Sequence, residues 1–466
     1  MTVTDALSLT KPGSNDSADD STVLRDLGLI DLDVESCNVS ADCKAKLVQL
    51  ISQYHSIFSR HKLDCGKATG FVHRICLSDD KPFRLPYRRL APTQYERLRQ
   101  ALDEMEEREI IRKSSNEFAS PLVLVWKKSG DLRICIDFRW INARTIKNAH
   151  PLPHQADALA ALGGNAYFST MDLTFGYYNV EVHEYDCKYT AFTSPFGLYE
   201  YNWLPLCNSP ATFMRMMLTI FGDQNFISLL CYLDDVLVFA PTERLALEHL
   251  EMVFKHLKTH NLKLAPKKCH HLRSSVKFLG HIISADGIAT DPEKVKANTS
   301  VTEDDLMIEG TNVPSQQKIR SFLGMVVFYQ QFIEDCSSIA KPLFNITTGR
   351  KAPRGKWKRR VCQRELSASD WTEECSQAFH KLKQTLLDQV LLVHPNFNEA
   401  FLLSVDASSN GLGAVLSQIP AGGTMARPVA FASKSLTYAQ SRYPALRLEF
   451  FAMKWAICVK FHHWLR

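Results

Sequence analysis

Two adjacent carboxylates, Asp234 and Asp235, interrupt the apolar run CYLDDVLVF at residues 231–239. Burial of an unpaired charge is costly, so the pair must reach water, lie in a tight turn or bind a cation. Because aspartate tolerates turn geometry, a hairpin turn is the ordinary explanation for the dipeptide alone. A second strand-like run, YFSTMDLTFGYYNVEV, carries Asp172. Carboxylates on a strand and on a hairpin are also hard ligands suited to a two-magnesium site, so both interpretations stay open.

Composition limits the class of protein only broadly. The chain has 466 residues, 45% of them hydrophobic and 23% charged. At ~100–200 residues per domain, this length predicts about three globular domains. Lys and Arg number 55 against 50 Asp and Glu, which gives a net charge of +5. This balance permits an anionic partner without requiring one.

Cysteine spacing and the N-terminal segment exclude several other classes. The 13 cysteines include no C-x-x-C pair, which argues against zinc ribbons and knuckles. The start of the chain, MTVTDALSLTKPGSNDSADDS, is polar and does not resemble a signal peptide. No apolar run approaches the ~20 residues of a membrane helix. We therefore expect no membrane partner and an intracellular protein, cytoplasmic with the nucleus as a second location.

The pattern along the chain predicts several consecutive segments. Helical spacing occurs at residues 41–60, and a mixture of an amphipathic helix with β-rich runs, typical of an α+β domain, extends from about residue 82 to 284. A helical segment, KIRSFLGMVVFYQQFI, follows, and the run GRKAPRGKWKRRVCQR is a solvated linker or a nucleic-acid contact. From residue 370 the sequence predicts a helix, a strand, a turn and two strands, and then the closing helix YPALRLEFFAMKWAICVKFHHWLR.

The sequence contains an ordered series of motifs: FASPLVLVWKKSGDLRICIDFRWIN, TIKNAHPLP, LGGNAYFSTMDL, KYTAFTSPFGLYEYNW, NSPATF, YLDDVLVF, KLAPKKC, VKFLGHIIS, RSFLGMVVFYQQFI and VDASSNGLGAVLSQ. This series resembles the reverse transcriptase and adjoining RNase H region of gypsy-class LTR retrotransposon Pol polyproteins. The resemblance extends from about Phe71 to the end of the sequence. It implies an α+β right-hand polymerase fold with fingers, palm and thumb, followed by an RNase H-like α/β domain truncated at its C-terminus.

The resemblance also names the predicted segments. We expect an N-terminal linker with a short helical element at 1–65, fingers and palm at 66–285, a thumb-like helical region at 286–348, a basic linker at 349–369 and the partial RNase H-like domain at 370–466. The RNase H-like part stops before the third carboxylate of the family. We therefore predict no independent RNase H activity.

The resemblance assigns the polymerase carboxylates. Asp172 corresponds to the first catalytic aspartate, and Asp234 and Asp235 correspond to the Y-x-D-D pair. These residues would also be the metal ligands, for two Mg²⁺ ions per polymerase site with Mn²⁺ as a substitute. In the RNase H-like part, Asp406 and Glu449 correspond to the first and second carboxylates, which are both catalytic and metal ligands. A glutamate on the solvent face of a helix is common, so Glu449 depends on its pairing with Asp406.

Nucleotide-binding roles follow from the same resemblance. Arg133 corresponds to the arginine that grips the incoming triphosphate, with Lys128 as its partner. Without the resemblance, both would be interpreted as exposed charged residues on a strand. Tyr177 corresponds to the aromatic residue beneath the sugar, where bulk would exclude a ribose 2′-hydroxyl. Without the resemblance, Tyr177 is an ordinary core tyrosine.

Contacts with primer and template are implied at two further places. Phe278, Leu279 and Gly280 correspond to a hairpin that holds the primer end, where a glycine lets backbone approach nucleic acid closely. Arg139 and Asn142 correspond to positions that shape the fingers and the template side. For these two residues, a structural role is an equal alternative.

One departure from the family pattern affects the expected function. The stretch LPLCNSPATF lacks a Phe-Gly pair near residues 205–206, beside the nucleotide pocket, and we expect this to weaken or abolish polymerization. Asn179 stands where the family prefers glutamine.

The predicted function is RNA-directed DNA polymerization by a retrotransposon enzyme with an incomplete RNase H. Its partners would be an RNA template, a DNA primer, RNA–DNA hybrid and deoxynucleoside triphosphates, with the oligomeric state left open. The alternative is an inactive remnant or a domesticated nucleic-acid-binding protein.

Overall fold

The structure is a computed structural model that describes most of the chain. The described ranges are 20–61, 63–126, 132–146, 153–205, 210–347, 365–388, 390–420 and 422–465. Three sequence predictions fall outside these ranges: the placement of Lys128, the centre of the LPLCNSPATF stretch at 206–209, and the basic run.

Helices occur throughout the described chain. In chain order they are α1 (Asp20–Asp26), α2 (Ala41–Gln53), α3 (Tyr95–Glu107), α4 (Arg139–Arg144), α5 (Gln155–Ala160), α6 (Pro210–Phe221), α7 (Glu243–Thr259), α8 (Pro292–Thr299), α9 (Gln316–Phe328), α10 (Cys336–Thr347), α11 (Glu373–Leu387) and α12 (Ala445–Trp455). Short 3₁₀ turns at Gly176–Asn179 and Pro266–Lys268 bear on the site described below.

Strands alternate with these helices, as the sequence pattern predicts. In chain order they are β1 (Val72–His73), β2 (Ile111–Lys113), β3 (Ser120–Trp126), β4 (Leu132–Ile136), β5 (Tyr167–Asp172), β6 (Glu181–Val182), β7 (Phe192–Ser194), β8 (Gly197–Tyr201), β9 (Leu229–Tyr232), β10 (Asp235–Ala240), β11 (His270–Arg273), β12 (Ser275–Phe278), β13 (His281–Ser284), β14 (Gly287–Thr290), β15 (Leu402–Ala407), β16 (Gly411–Gln418) and β17 (Arg427–Ser435).

The chain divides into two compact units. The first comprises Met1–Pro153 and Phe168–Arg273, and the second comprises His154–Tyr167 and Ser274–Arg466. In the first unit, a sheet in the order β2-β8-β7-β3-β4 packs against α3, whose apolar face buries Leu98 and Leu102. These two leucines are four residues apart and so lie on the same side of the helix.

A four-stranded sheet in the order β11-β5-β10-β9 forms the other main layer of the first unit. Strands β9 and β10 are nearly continuous apolar runs, and α6 packs against β9 while α7 packs against β10. Phe213 of α6 and Leu250 of α7 are fully buried. The covering helices hold this sheet firmly, so residues at the ends of its strands have fixed positions.

The second unit contains two separate antiparallel sheets. One has the order β12-β13-β14, and the other has the order β15-β16-β17. Helix α12 packs on β15 and β16 through Leu448, Ala452 and Trp455, and α10 packs against β17. Ser337 of α10 donates its backbone N–H to Ser433 Oγ at 2.8 Å, which joins the helix to the sheet.

Most predicted elements are confirmed, and the extent of one helix was wrong. The β-rich run KFLGHII forms strands β12 and β13 of a hairpin, as the resemblance implies, because Leu279 and Gly280 adopt φ values of 48° and 79° and form a two-residue turn. The closing helix leaves α-geometry at Trp455 and continues as a π-helical turn over Ala456–Lys460. No described helix is long and apolar enough to cross a bilayer.

Candidate active site

The Asp234–Asp235 dipeptide lies at a hairpin turn, as the sequence predicts. Tyr232 pairs with Asp235 across β9 and β10, so Leu233 and Asp234 form the two-residue loop. Leu233 has a φ of 57°, a left-handed conformation that costs a non-glycine residue on the order of 1–3 kcal/mol. The buried strands on either side enforce this conformation. The turn thereby projects both carboxylates at the end of the sheet.

Asp172 is the last residue of the neighbouring strand, at the same end of the sheet. Strand β5 lies beside β10 in the sheet order, and β10 begins at Asp235. Burial raises the pKa of Asp172 above its ordinary value, and the Asp234 carboxylate raises it further. The two acids are therefore close enough to interact. Asp172 and Asp234 thus lie near each other at one end of the sheet, and Asp235 is the next residue, at the start of β10.

A cationic side chain, Lys268, contacts this carboxylate group. Its Nζ donates a hydrogen bond to Asp172 Oδ2 at 2.9 Å. The contact opposes the effect of burial by lowering the pKa of Asp172. Lys268 ends a 3₁₀ turn that is tied to β5, because Ala265 N–H donates to the backbone oxygen of Asp172 at 2.9 Å.

The turn after β5 places Tyr177 beside the aspartates. A Cβ atom on Gly176 would lie 3.3 Å from Asp234 Cβ and 3.1 Å from the Phe213 ring, so a side chain here would crowd both residues. The Tyr177 and Phe213 rings are 5.1 Å apart. Burial, with smaller effects from Asp234 and Asp235, raises the pKa of Tyr177 to about 12. Its phenol is therefore neutral at physiological pH.

Asn179 holds this turn together. The side chain is fully buried, and its Nδ2 group donates to the backbone oxygens of Thr174 at 3.2 Å, Phe175 at 3.3 Å and Gly176 at 3.0 Å. Its Oδ1 accepts the N–H of Gly66 at 2.6 Å. The residue that departs from the family pattern thus fixes the loop carrying Tyr177.

The other predicted polymerase residues occupy separate elements. Arg133 is exposed on β4. It lies near enough to Tyr178, the residue after Tyr177, for its positive charge to oppose the rise in the pKa of that phenol caused by burial. On α4, Arg139 forms a paired contact with Asp137, through Nε at 2.7 Å and a terminal nitrogen at 2.6 Å. This arginine holds the pKa of Asp137 at about 2. Asn142 lies on the same helix with its buried Oδ1 unpartnered among the described residues.

The predicted primer-holding residues form the tip of a hairpin in the second unit. The left-handed conformation at position 280, with a φ of 79°, favours glycine. A Cβ there would also lie 2.6 Å from Lys294 Nζ and 3.2 Å from the Phe328 ring. The buried Tyr329 donates its hydroxyl to the Gly280 oxygen at 2.7 Å. Helix α9 and the residue after it thus support this tip from behind.

The two RNase H-type carboxylates are far less organised. Asp406 lies on β15, an edge strand of its sheet among the described residues, and Glu449 lies on α12. Both are exposed. Within the described part of the chain, neither has a hydrogen-bond or ion-pair partner. The structure places them on adjacent packed elements without joining their side chains.

The better candidate for a metal site is the first carboxylate group, Asp172 with Asp234 and Asp235. Among the described residues, no three His, Cys, Asp or Glu side chains lie at metal-holding spacing. Asp172 nevertheless already holds a cation, the Lys268 ammonium, and carboxylate oxygens are hard ligands suited to Mg²⁺ or Mn²⁺. The residues at this sheet edge therefore fit a divalent cation in their chemistry.

Comparison with known families identifies the chain. Residues 125–283 match the family model described as reverse transcriptase (RNA-dependent DNA polymerase). Residues 371–466 match the RNase H-like domain found in reverse transcriptase. The chain belongs to the reverse transcriptase family. Both sets of carboxylates lie within the matched ranges, and these two families generally use divalent metals.

Similar proteins include transposon polyproteins of Drosophila melanogaster. The Pol polyprotein from transposon opus is 35% identical over 363 residues, covering 76% of this chain and 35% of the relative. The one from transposon gypsy is 34% identical over 359 residues, covering 75% and 33%. The chain thus spans about a third of the length of these curated relatives. The predicted kinship with gypsy-class Pol polyproteins is confirmed.

Solved structures confirm the predicted right-hand polymerase fold. A foamy viral protease-reverse transcriptase in complex with double-stranded DNA gives a TM-score of 0.79 at 21% identity, covering 98% of this chain and 75% of the other. The same kind of protein with an RNA/DNA hybrid gives 0.77 at 20% identity, covering 99% and 57%. At this level of identity, the likeness concerns the fold.

Sequence reasoning missed two residues of the site. Lys268 lies in the KLAPKKC motif, where the pair of lysines after a proline is the only local signal. Phe213 lies in NSPATF and supports the Tyr177 ring. Both depend on contacts between distant segments, which a motif does not specify.

Proposed function

We propose that this chain is the polymerase portion of a retrotransposon Pol protein and that it copies RNA into DNA. The observation that carries the proposal is the meeting of Asp172 with the Asp234–Asp235 hairpin at one sheet edge. In the reaction, the primer 3′-hydroxyl loses its proton to water, and its oxygen forms a bond to the α-phosphorus of a deoxynucleoside triphosphate. The bond from that phosphorus to the bridging oxygen breaks, and pyrophosphate leaves with the electron pair.

The three aspartates would hold Mg²⁺, for which Mn²⁺ is the chemical substitute. When bound, two such ions stabilise the attacking and leaving oxygens of an in-line displacement. The role of Asp172, Asp234 and Asp235 is to fix the ligand oxygens at the end of a covered sheet. The strained Leu233 supports this proposal, because strain of this kind persists where the surroundings enforce it and is concentrated at functional sites.

Substrate contacts are assigned to residues around this edge. Tyr177, packed against Phe213, would lie beneath the sugar and exclude a 2′-hydroxyl by bulk. Arg133 and Lys128 would bind the triphosphate, for which the planar guanidinium is suited to paired contacts. Arg139 and Asn142 would shape the template side. Because Arg139 is already bound to Asp137, its role would be to stiffen α4.

The nucleic-acid partners would be an RNA template, a DNA primer and their hybrid. The solved relatives bound to double-stranded DNA and RNA/DNA hybrid support this assignment. Phe278, Leu279 and Gly280 would hold the primer end, and the tight turn at Gly280 allows a close backbone approach. Asp406 and Glu449 would be the RNase H ligands of the family. No described side-chain contact fixes their positions, which supports the prediction that this chain does not cleave RNA.

The proposal is tested by primer extension on an RNA template with Mg²⁺ and all four deoxynucleoside triphosphates. We expect extension by the wild type, weakened by the missing Phe-Gly pair, and its loss in Asp172→Asn. The matched control is Asp223→Asn, which alters an exposed aspartate of the same unit. Absence of extension by a folded wild-type chain that still binds RNA–DNA would favour the alternative of a binding protein.

A further inference from the structure

Lys268 lies directly against the carboxylate that we propose as a metal ligand. Its Nζ is 2.9 Å from Asp172 Oδ2. The Asp172 side chain is 22% exposed, whereas the Lys268 side chain is 62% exposed. The ammonium group can therefore move out into water, while the carboxylate cannot move away from the sheet.

The backbone keeps Lys268 close to Asp172 whatever its side chain does. The Ala265 N–H donates to the backbone oxygen of Asp172 at 2.9 Å, and the backbone N–H of Lys268 donates to the backbone oxygen of Ala265 at 3.0 Å. Pro266 begins the intervening 3₁₀ turn and restricts its backbone. A displaced ammonium would stay within one side-chain length of the carboxylate.

The ammonium and a divalent cation would compete for the same oxygen. Mg²⁺ binds carboxylate oxygens at about 2.1 Å and demands near-octahedral geometry, so Oδ2 cannot keep Lys268 in place and act as a ligand on that side. Without any cation, the negative charges of Asp172 and Asp234 would repel each other. Lys268 reduces this repulsion.

We propose that Lys268 is a tethered counter-ion, which neutralises Asp172 before a divalent cation binds and which that cation must displace. Lys268 is thus a positioning residue that sets metal affinity. The inference rests on the proposed function, since it requires that Asp172 bind metal.

Mn²⁺ is the probe, and its binding to the full-length protein without nucleotide is measured by electron paramagnetic resonance. We expect Lys268→Met to bind Mn²⁺ about three- to fivefold more tightly than the wild type, the range for loss of a partly exposed ion pair. Lys268→Arg keeps the cation and should not tighten binding. Equal or weaker binding by Lys268→Met would overturn the inference.

Lys267 provides the matched control. It is the preceding residue of the same turn, and its Nζ lies 3.4 Å from Asp31. Lys267→Met removes an equal charge, yet we expect less than about a twofold change, because its partner is outside the carboxylate group. An equal tightening in both variants would show a general charge effect and contradict the specific role of Lys268.

Thermal unfolding gives a second readout that does not depend on activity. Lys268→Met should unfold at a lower temperature than the wild type without metal, and Mn²⁺ should raise its midpoint more than that of the wild type. Asp172→Asn should lose the Mn²⁺ response. If neither the wild type nor Lys268→Met binds Mn²⁺ saturably, the proposed metal site itself is wrong. Saturable but equal binding contradicts only the role of Lys268.

Discussion

The two sets of acidic residues in this chain differ in how firmly the fold holds them. Asp172, Asp234 and Asp235 lie at the end of a sheet covered by α6 and α7. Lys268, Tyr177 and Asn179 surround them. Asp406 and Glu449 are exposed and make no described contact with each other.

This difference shows that a motif and an assembled site are separate properties. The sequence motifs are present in both regions, and both match their family models. Only the first region adds burial, a bound ammonium and a hydrogen-bonded loop. We therefore expect chemistry from the first region, and the following predictions test that contrast.

The largest expected effect is on polymerization. Asp234→Asn should lower the rate of primer extension more than about a hundredfold, because a lost metal ligand removes several kcal/mol of transition-state stabilisation. Asp406→Asn should change it less than about twofold. Single-turnover extension of a labelled primer measures both. A comparable loss in the two variants would break the contrast.

Acid should destabilise each unit through a buried neutral histidine. Burial lowers the pKa of His73, which hydrogen-bonds Thr212, and of His281 from 6.5 to about 4. The folded state then binds fewer protons than the unfolded chain. Stability is thus complete above about pH 6.5 and falls as the pH drops towards 4, by up to about 3 kcal/mol per histidine.

Urea unfolding between pH 7 and pH 4.5 measures this loss. His73→Gln should reduce the pH dependence of the first unit only, and His281→Gln that of the second only; buried His271 and His394 account for part of what remains. A wild-type stability that is constant over this range would be inconsistent with neutral buried histidines.

The loop network should contribute measurably to stability. Asn179→Ala should lower the free energy of unfolding by about 2 kcal/mol, because it leaves a buried N–H and several carbonyl groups unpartnered. Glu449→Ala, on the exposed face of α12, should change the free energy of unfolding by less than about 0.5 kcal/mol. Equal effects of the two variants would remove the structural difference between the regions.

The smallest predicted effect concerns the hairpin tip. Tyr329→Phe removes the hydroxyl bond to Gly280 and should cost about 1 kcal/mol of unfolding free energy. Tyr443→Phe is the control, because its ring packs on Phe451 and its hydroxyl has no described partner. Chemical unfolding of both variants under one condition gives the comparison.

The sequence predicted the elements of the site better than their contacts. Apolar runs around Asp172 and the Asp234–Asp235 pair correctly predicted a strand and a hairpin, because the local pattern of burial determines them. The contact with Lys268 could not be predicted, since it depends on how a distant turn is tied to β5. Asn179 replaces the glutamine of the family pattern, and its shorter side chain reaches the backbone carbonyls of the loop.

Glycine positions illustrate the same limit. By its residues alone KFLGHII is a β-rich run, and only the resemblance indicated the turn at Gly280 that divides it. A glycine in a strand pattern fits a turn, a bulge or a close backbone approach, and the sequence does not choose among them. Tyr329, which lies 49 residues away, contacts this turn.

The most direct test uses one RNA–DNA hybrid with both strands labelled, incubated with Mg²⁺ and deoxynucleoside triphosphates. The account predicts that the wild-type chain extends the DNA primer, that Asp234→Asn abolishes extension, and that the RNA strand stays intact. Cleavage of the RNA that disappears in Asp406→Asn, without primer extension, would contradict it.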